Sequence, residues 1–328
     1  MHTVVGAGAV GLALAARLAR SGLPVRLVTR DGGSAQRLES RGIRVEDPGS
    51  GERWCAAVRA VAGIENADLR GADRPLLICV RETDTEALAS RLAEVAPGAL
   101  VANVQNGVEG DALLARRLPK VIGAVWRQTC TRVEPDLVRF TGRGRVVVGL
   151  HPQGSAPEVD ALARDLRRAG FDVGISSRIA EDRWLKLCVN LMSAPNALIR
   201  REDHQSPPFV EVKVRLLEEA QAALAAAGIA ARSCDGRDRS LDQEIQHQRR
   251  SLALGTSARR LPLYNQVWSS LGSEAPLEAD GYHRRILELA ELHRIRAPTN
   301  ARVLTKLIEA KADRRGPECM SAAELLGP

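Results

Sequence analysis

A short apolar stretch near the start of the chain runs directly into a glycine-rich turn, and this junction constrains the fold more than any other feature. His2–Val5 has the length of a buried strand, and Gly6–Gly11 reads G-A-G-A-V-G, which has the spacing G-x-G-x-x-G. The amphipathic stretch Leu12–Ser21 follows at once and predicts a helix. A strand, this turn and a helix in that order predict a dinucleotide-binding unit.

A different physical requirement explains the glycine at each of the three positions of the turn. Gly6 allows the tight turn, Gly8 lets the backbone approach a pyrophosphate, and Gly11 lets the helix pack closely on the strand. The N–H groups and partial positive charge of the helix N-terminus attract the phosphates. The predicted cofactor-binding residues of the turn are Gly6, Ala7, Gly8, Ala9, Val10 and Gly11.

The rest of the first half alternates short apolar runs with amphipathic stretches. Such alternation predicts a mostly parallel sheet that helices cover on both faces. Arg132–Arg139 and Arg145–Gly149 depart from it and predict a hairpin around the Gly142–Gly144 turn.

The character of the sequence changes near Ile179, after which no strand pattern remains. Ala180–Ile199 predicts one long amphipathic helix, and further helical stretches follow. We therefore expect an α/β protein with a doubly wound, Rossmann-type dinucleotide-binding domain over residues 1–178. An all-helical domain should follow over residues 179–328.

The residue after the second predicted strand bears on the choice of cofactor. NAD-binding units usually carry an acidic residue there, which accepts a hydrogen bond from the ribose 2′-hydroxyl. This chain has Arg30, and a guanidinium pairs with a 2′-phosphate instead, which favours NADP(H). Asp31 comes one residue late and is the alternative reader, in which case NAD would be preferred.

Composition narrows the possible partners. The formal net charge of +7 raises nucleic acid as a partner, but the arginines are spread along the whole length and aromatic residues make up only 3%. No apolar run reaches the ~20 residues of a membrane helix, and no signal peptide precedes the glycine turn. The six cysteines are scattered without metal-like spacing and are interpreted as small buried residues. We expect a cytoplasmic protein without nucleic acid, membrane or metal.

One lysine stands out in a chain whose 47 basic residues include only five lysines. Lys186 and Asn190 are four residues apart near the start of the helical half, so they share one face of a helix. Arginine cannot release a proton near neutral pH, whereas a partly desolvated lysine can. Lys186 is therefore a candidate proton donor to a carbonyl, and an ordinary surface lysine is the alternative.

Two further polar positions are candidates for ligand binding. Asn106 follows a predicted strand, where ligands of doubly wound sheets lie, although Asn106-Gly107 is also a common turn dipeptide. Glu278 and Asp280 open a predicted helix, where acidic residues also complement the helix dipole, and one of them could bind a substrate hydroxyl.

Together these motifs resemble the ketopantoate reductases, also called 2-dehydropantoate 2-reductases. The order of motifs in that family is matched here by Gly6–Gly11, Arg30, Q-N-G at Gln105–Gly107, W-x-K-L-x-x-N at Trp184–Asn190, L-E-x-D at Leu277–Asp280 and A-P-T-N at Ala297–Asn300. The resemblance implies that NADPH reduces a 2-oxo acid to a D-2-hydroxy acid in a cleft between two domains. Ketopantoate is the first choice of substrate, (R)-pantoate is the product, and a homodimer is expected.

Site roles also follow from the resemblance. It implies that Lys186 is the general acid that protonates the carbonyl oxygen, and that Asn106 and Asn190 hold cofactor and substrate. It implies that Glu278 accepts a hydrogen bond from the distal hydroxyl of the substrate.

Some positions depart from the family pattern. Arg81 replaces a residue that is often lysine after the fourth strand of the alternating pattern, and Asp84 stands where glutamine is common. Asn196 is the nearest match to a second asparagine, and Gln266 or Asn265 stands where a serine holds the substrate carboxylate. A different branched or bulky 2-oxo acid is therefore an alternative substrate, and a non-catalytic NADP-binding protein is the alternative of another class.

Overall fold

The computed structural model describes residues 1–69, 74–253, 266–274, 277 and 279–327. The chain forms two compact units, Met1–Asp182 and Arg183–Pro328. The strands of the described residues all lie in the first unit: β1 (His2–Val5), β2 (Val25–Thr29), β3 (Ile43–Asp47), β4 (Glu52–Ala56), β5 (Arg59–Ala62), β6 (Leu76–Ile78), β7 (Leu100–Asn103), β8 (Lys120–Trp126), β9 (Thr129–Glu134), β10 (Leu137–Gly142), β11 (Arg145–Leu150) and β12 (Asp172–Ile175).

The helices continue in both units, and one of them crosses the division. The α-helices are α1 (Ala9–Arg20), α2 (Gly32–Arg41), α3 (Thr85–Val95), α4 (Gly110–Ala115), α5 (Pro157–Arg168), α6 (Ile179–Asn190), α7 (Ser193–Leu198), α8 (Pro207–Ala226), α9 (Leu241–Ala253), α10 (Gln266–Leu271), α11 (Ala279–Leu292), α12 (Pro298–Ala312) and α13 (Ala322–Leu326). None of the helices among the described residues is both long enough and apolar enough to cross a membrane.

The main sheet of the first unit has eight strands in the order β12-β11-β8-β7-β6-β1-β2-β5. All neighbouring pairs are parallel except β8 and β11. Val4 packs in a core with residues of α1 and α5, and its neighbour Val5 packs in a core with residues of α3 and α4. Helices therefore cover both faces of the sheet, and the predicted doubly wound α/β class is confirmed.

The hairpin predicted around Gly142–Gly144 is wrong. β10 lies in a second sheet of order β4-β3-β10-β9, and its antiparallel partner is β9. β11 belongs to the main sheet because its run Val146–Val148 is buried on both faces, whereas β9 is mostly exposed. The chain crosses between the sheets at Gly144, where a side chain would overlap the carbonyl oxygen of Arg127.

The second unit is helical throughout its described part, apart from an isolated bridge between Ile199 and Met320. The single helix predicted over Ala180–Ile199 is instead two, because α6 ends at Asn190 and α7 begins at Ser193. Pro195 explains the break, since a proline has no N–H to donate to the carbonyl of the residue four positions earlier.

The cysteines differ from the expectation that all of them are buried. Cys188 is buried, whereas Cys55 is exposed, and none of the six cysteines forms a disulfide bond. Cys55 lies on β4, an edge strand of the second sheet whose residues are mostly exposed.

Candidate functional site

The glycine turn that follows β1 has little room for side chains at two of its three glycines. Gly6 has φ of +108°, and a Cβ there would lie 2.9 Å from the carbonyl carbon and oxygen of Cys79. A Cβ at Gly11 would overlap the carbonyl oxygen of Gly6. These two glycines are therefore required by the fold itself, one for the turn and one for the close approach of α1.

Gly8 differs from Gly6 and Gly11, because no neighbour within the described residues occupies the space that a side chain at this position would need. A Cβ on Gly8 would meet only the carbonyl oxygen of Cys79, at 4.0 Å. Gly8 is also the N-cap residue of α1, where no side chain caps the helix and the first turn has no acidic residue. Open space over uncapped N–H groups is the arrangement that binds a diphosphate, so these residues fit a dinucleotide.

Asp31 and Arg30, the two residues after β2 that could select the cofactor, have different surroundings. The carboxylate of Asp31 caps α2, since its oxygens accept hydrogen bonds from the backbone N–H of Ser34 (2.8 Å) and from the Ser34 hydroxyl (2.9 Å). The backbone and hydroxyl donors of Ser34 lower the pKa of Asp31. Arg30 is 76% exposed and reaches back towards residues that follow β6.

Arg30 and Arg81 converge on one carboxylate oxygen. Arg30 Nη2 lies 3.0 Å from Asp84 Oδ2, and Arg81 Nε lies 3.4 Å from the same oxygen. β2 and β6 are the two parallel neighbours of β1, so these arginines follow the strands on either side of the glycine turn. The structure thus brings both predicted cofactor-binding arginines together at the carboxyl edge of the sheet.

Asn106 lies at the same edge, one strand further on, after β7. The preceding Gln105 is buried, and its Nε2 donates to the carbonyl oxygens of Val80 (3.0 Å) and Arg81 (3.1 Å). Gln105 therefore ties the segment after β7 to the segment after β6. Asn106 itself is half-buried, which leaves part of its side chain accessible.

An arginine that the sequence analysis did not select also lies at the glycine turn. Arg132, an exposed residue of β9, donates from Nη1 to the carbonyl oxygen of Ala7 at 3.0 Å. No carboxylate among the described residues forms an ion pair with it. No local pattern could have identified Arg132, because 125 residues separate it from the turn.

The remaining candidates belong to the helical unit. Lys186 and Asn190 are both half-buried and lie on one face of α6, as the spacing predicts. Asn196 lies on α7, and its Oδ1 is buried without a hydrogen-bond partner among the described residues. Gln266 is the exposed first residue of α10, which packs against α7. Glu278 and Asn265 lie outside the described residues.

The A-P-T-N stretch has a structural explanation. Glu219 of α8 accepts from the backbone N–H groups of Thr299 (2.8 Å) and Asn300 (2.9 Å), so it caps the N-terminus of α12. Asn300 Nδ2 also donates to Glu219 at 2.9 Å, and Asn300 Oδ1 accepts from Nδ1 of the fully buried His283 at 2.9 Å. This chain of hydrogen bonds joins α8, α11 and α12.

Comparisons with known proteins agree with this geometry. Two family models match the chain, "Ketopantoate reductase PanE/ApbA" over residues 2–153 and "Ketopantoate reductase PanE/ApbA C terminal" over residues 178–312. A 2-dehydropantoate 2-reductase of Halobacterium salinarum is 24% identical over 315 residues, which cover 94% of this chain and 98% of the relative.

Solved structures are similar as well. A crystal structure of a PanE/ApbA family ketopantoate reductase from Ralstonia eutropha JMP134 has a TM-score of 0.77 at 26% identity, covering 96% of this chain and 100% of that one. A D-mandelate dehydrogenase solved with NADH and anilino(oxo)acetate shares the fold, with a TM-score of 0.75 at 17% identity and coverage of 96% and 100%.

A Rossmann-type sheet with an open glycine turn, joined to a helical unit, defines the chain as an oxidoreductase of the dinucleotide-dependent class, acting on a CH–OH group. The chain belongs to the ketopantoate reductase family. The resemblance stated from the motifs is therefore confirmed, and the non-catalytic alternative is set aside. The family also indicates a nicotinamide cofactor.

Proposed function

We propose that the protein uses NADPH to reduce a 2-oxo acid to a D-2-hydroxy acid, and that ketopantoate and (R)-pantoate are the substrate and product. The observation that carries the proposal is α6, which presents Lys186 and Asn190 on one face in a chain whose glycine turn is open for a dinucleotide. Relatives named 2-dehydropantoate 2-reductase over nearly the full length support this choice of substrate. We further propose that the protein works as a homodimer in the cytoplasm.

The glycine turn and its neighbours hold the cofactor in this proposal. The turn over Gly6–Gly11 and the uncapped N-terminus of α1 bind the diphosphate, because their N–H groups and dipole face an unobstructed space. Arg30 and Arg81 bind the 2′-phosphate, and Asn106 contacts cofactor and substrate. A bound NADPH supplies a hydride from C4 of its nicotinamide ring.

Lys186 supplies the proton in this proposal. A carbonyl carbon that receives hydride leaves negative charge on its oxygen, and an ammonium group both stabilises that charge and donates a proton to it. A guanidinium could do only the first, which explains a lysine at this position of an arginine-rich chain. We assign substrate binding to Asn106, Asn190, Asn196, Gln266 and Glu278.

The Oδ1 atom of Asn196, which is buried without a hydrogen-bond partner in the part of the chain that the structure describes, supports its assignment. An amide oxygen without a hydrogen-bond partner costs free energy, and a ligand that donates to it would remove that cost. Glu278 is proposed to accept from the distal hydroxyl of the substrate, and this part of the proposal rests on the family motif.

The decisive experiment measures ketopantoate-dependent oxidation of NADPH by the unchanged protein and by Lys186→Ala. We expect kcat to fall by at least about a hundredfold, the usual contribution of a general acid, while the Kd for NADPH stays within about twofold. Lys306→Ala is the matched control, because that lysine forms a surface ion pair with Glu309 in the same unit. Normal turnover by Lys186→Ala would refute the assigned role.

A second candidate substrate is another branched or bulky 2-oxo acid. Gln266 motivates it, because an exposed amide stands where the family has a serine that holds the substrate carboxylate. A panel of 2-oxo acids compared by kcat/KM decides between the two. A strong preference for ketopantoate removes the second candidate.

A further inference from the structure

The carboxylate between the two cofactor-binding arginines is a departure from the family pattern. Asp84 lies where glutamine is common, and it ends the 3-10 turn Glu82–Asp84 that leads from β6 into α3. Its Oδ2 forms ion pairs with both guanidinium groups, at 3.0 Å from Arg30 Nη2 and 3.4 Å from Arg81 Nε. The side chain is 34% exposed, so an incoming ligand can reach it.

Asp84 also occupies the N-cap position of α3, but its side chain makes no capping hydrogen bond there. Aspartate at this position normally accepts from a backbone N–H of the first helical turn. Here Asp84 has helical backbone angles (φ −93°, ψ −2°), so its side chain does not cap α3, and its carboxylate pairs with the two arginines. The arginine pair therefore determines where the Asp84 carboxylate lies, and α3 does not.

This arrangement contains the recognition elements of both nicotinamide cofactors. Two guanidinium groups suit a 2′-phosphate, which carries a charge of about −1.5 to −2. A carboxylate suits the ribose 2′-hydroxyl of NADH, because it accepts a hydrogen bond from that hydroxyl, and it repels a 2′-phosphate. Asp31 is a poor alternative for that role, since Ser34 already donates to both of its oxygens.

We propose that Asp84 makes the cofactor site accept NADH as well as NADPH. With NADH, the Asp84 carboxylate accepts from the 2′-hydroxyl and stays paired with the arginines. With NADPH, the 2′-phosphate takes over Arg30 and Arg81 and must displace or tolerate Asp84, which reduces the preference for this cofactor. The inference rests on the proposed function, because it assigns a specificity-determining residue to the same cofactor site.

The test compares cofactor binding by the unchanged protein and by Asp84→Asn, which is nearly the same size and uncharged. Titration calorimetry with NADPH and with NADH gives both Kd values without a substrate. We expect the Kd for NADPH to fall about tenfold, as for the loss of one repulsive contact of about 1.4 kcal/mol, and the Kd for NADH to rise by about threefold or more. Exposed ion pairs contribute little to stability, so the variant should keep its Tm.

Asp31→Asn is the matched control, and it should leave the ratio of the two Kd values unchanged. Equal changes for both cofactors, or no change, in Asp84→Asn would overturn the role of Asp84 and leave the proposed function intact. A ratio that shifts in Asp31→Asn but not in Asp84→Asn would assign the discrimination to Asp31. Failure of the unchanged protein to bind either cofactor would instead overturn the proposed function itself.

Discussion

The buried imidazole of His283 should make the protein sensitive to mild acid. Its Nδ1–H donates to Asn300 Oδ1, while its Nε2 is buried without a hydrogen-bond partner among the described residues. Protonation would place a positive charge in a site that is closed to water. Burial therefore lowers the pKa of His283 to about 4, and the hydrogen bond with Asn300 offsets only part of this effect.

The direction of the pH effect follows from proton linkage. The unfolded chain binds the proton with a pKa of about 6.5, whereas the folded chain binds it only near 4, so acidification favours the unfolded state. The stabilisation of the folded protein by the neutral His283 imidazole is fully present above about pH 6.5 and is lost as the pH falls towards 4. Between about pH 7 and about pH 5 this loss lowers the free energy of unfolding by about 2 kcal/mol.

The variant His283→Asn isolates this contribution. Asparagine keeps an N–H donor for Asn300 and cannot take up a proton, although the lost ring should cost about 2 kcal/mol at neutral pH. Guanidinium unfolding of both proteins, followed by circular dichroism, gives the difference in free energy of unfolding at each pH. Other titrating groups, such as His204, cancel in that difference.

The wild-type advantage over His283→Asn should therefore shrink by about 2 kcal/mol as the pH falls from about 7 to about 5. A difference that stays constant within about 0.5 kcal/mol would refute the reasoning. It would mean that the imidazole takes up a proton as easily in the folded protein as in the unfolded chain.

The remaining predictions concern the cofactor site. Gly8→Ala should fold normally but bind NADPH and NADH more weakly, whereas Gly11→Ala should lose Tm or fail to accumulate, because its Cβ would overlap backbone; thermal unfolding and calorimetry separate the two. Arg132→Ala should weaken the binding of NADPH and of NADH by the same factor, about tenfold, because its guanidinium lies at the glycine turn that holds the diphosphate common to both; unequal factors would contradict this. Asp31→Ala should lower the Tm through loss of the α2 cap, with an unchanged NADPH-to-NADH ratio of Kd values.

Local patterns predicted the parts of the fold in which neighbours in sequence are neighbours in space. The turn over Gly6–Gly11 could be predicted from a few adjacent residues, because its glycines are required by close contacts within the turn and with the residues that follow β6. The pairing of β10 with β9 and β3 was missed, because the choice between two sheets depends on burial by distant elements. The break between Asn190 and Ser193 was missed for a local reason, because the amphipathic pattern of Ala180–Ile199 outweighed the effect of Pro195.

The candidate site divides in the same way. Arg30 could be selected because it follows a strand of the parallel sheet, at the edge where a dinucleotide lies, whereas Arg81 was selected only through the family resemblance. Their shared partner Asp84 appeared in the sequence only as a departure from glutamine, since the direction of its side chain depends on two arginines from separate strands. Arg132 gave no indication at all, because its strand belongs to the other sheet.

The proposed function rests on transfer of a hydride from a reduced nicotinamide to the carbonyl carbon of a 2-oxo acid. The most direct measurement supplies NADPH that carries deuterium on the transferred face of C4, adds ketopantoate, and analyses the product by mass spectrometry. We expect pantoate with one deuterium on the carbon that bears the new hydroxyl, formed by the unchanged protein and nearly absent with Lys186→Ala. Oxidation of the cofactor without labelled hydroxy acid would contradict it.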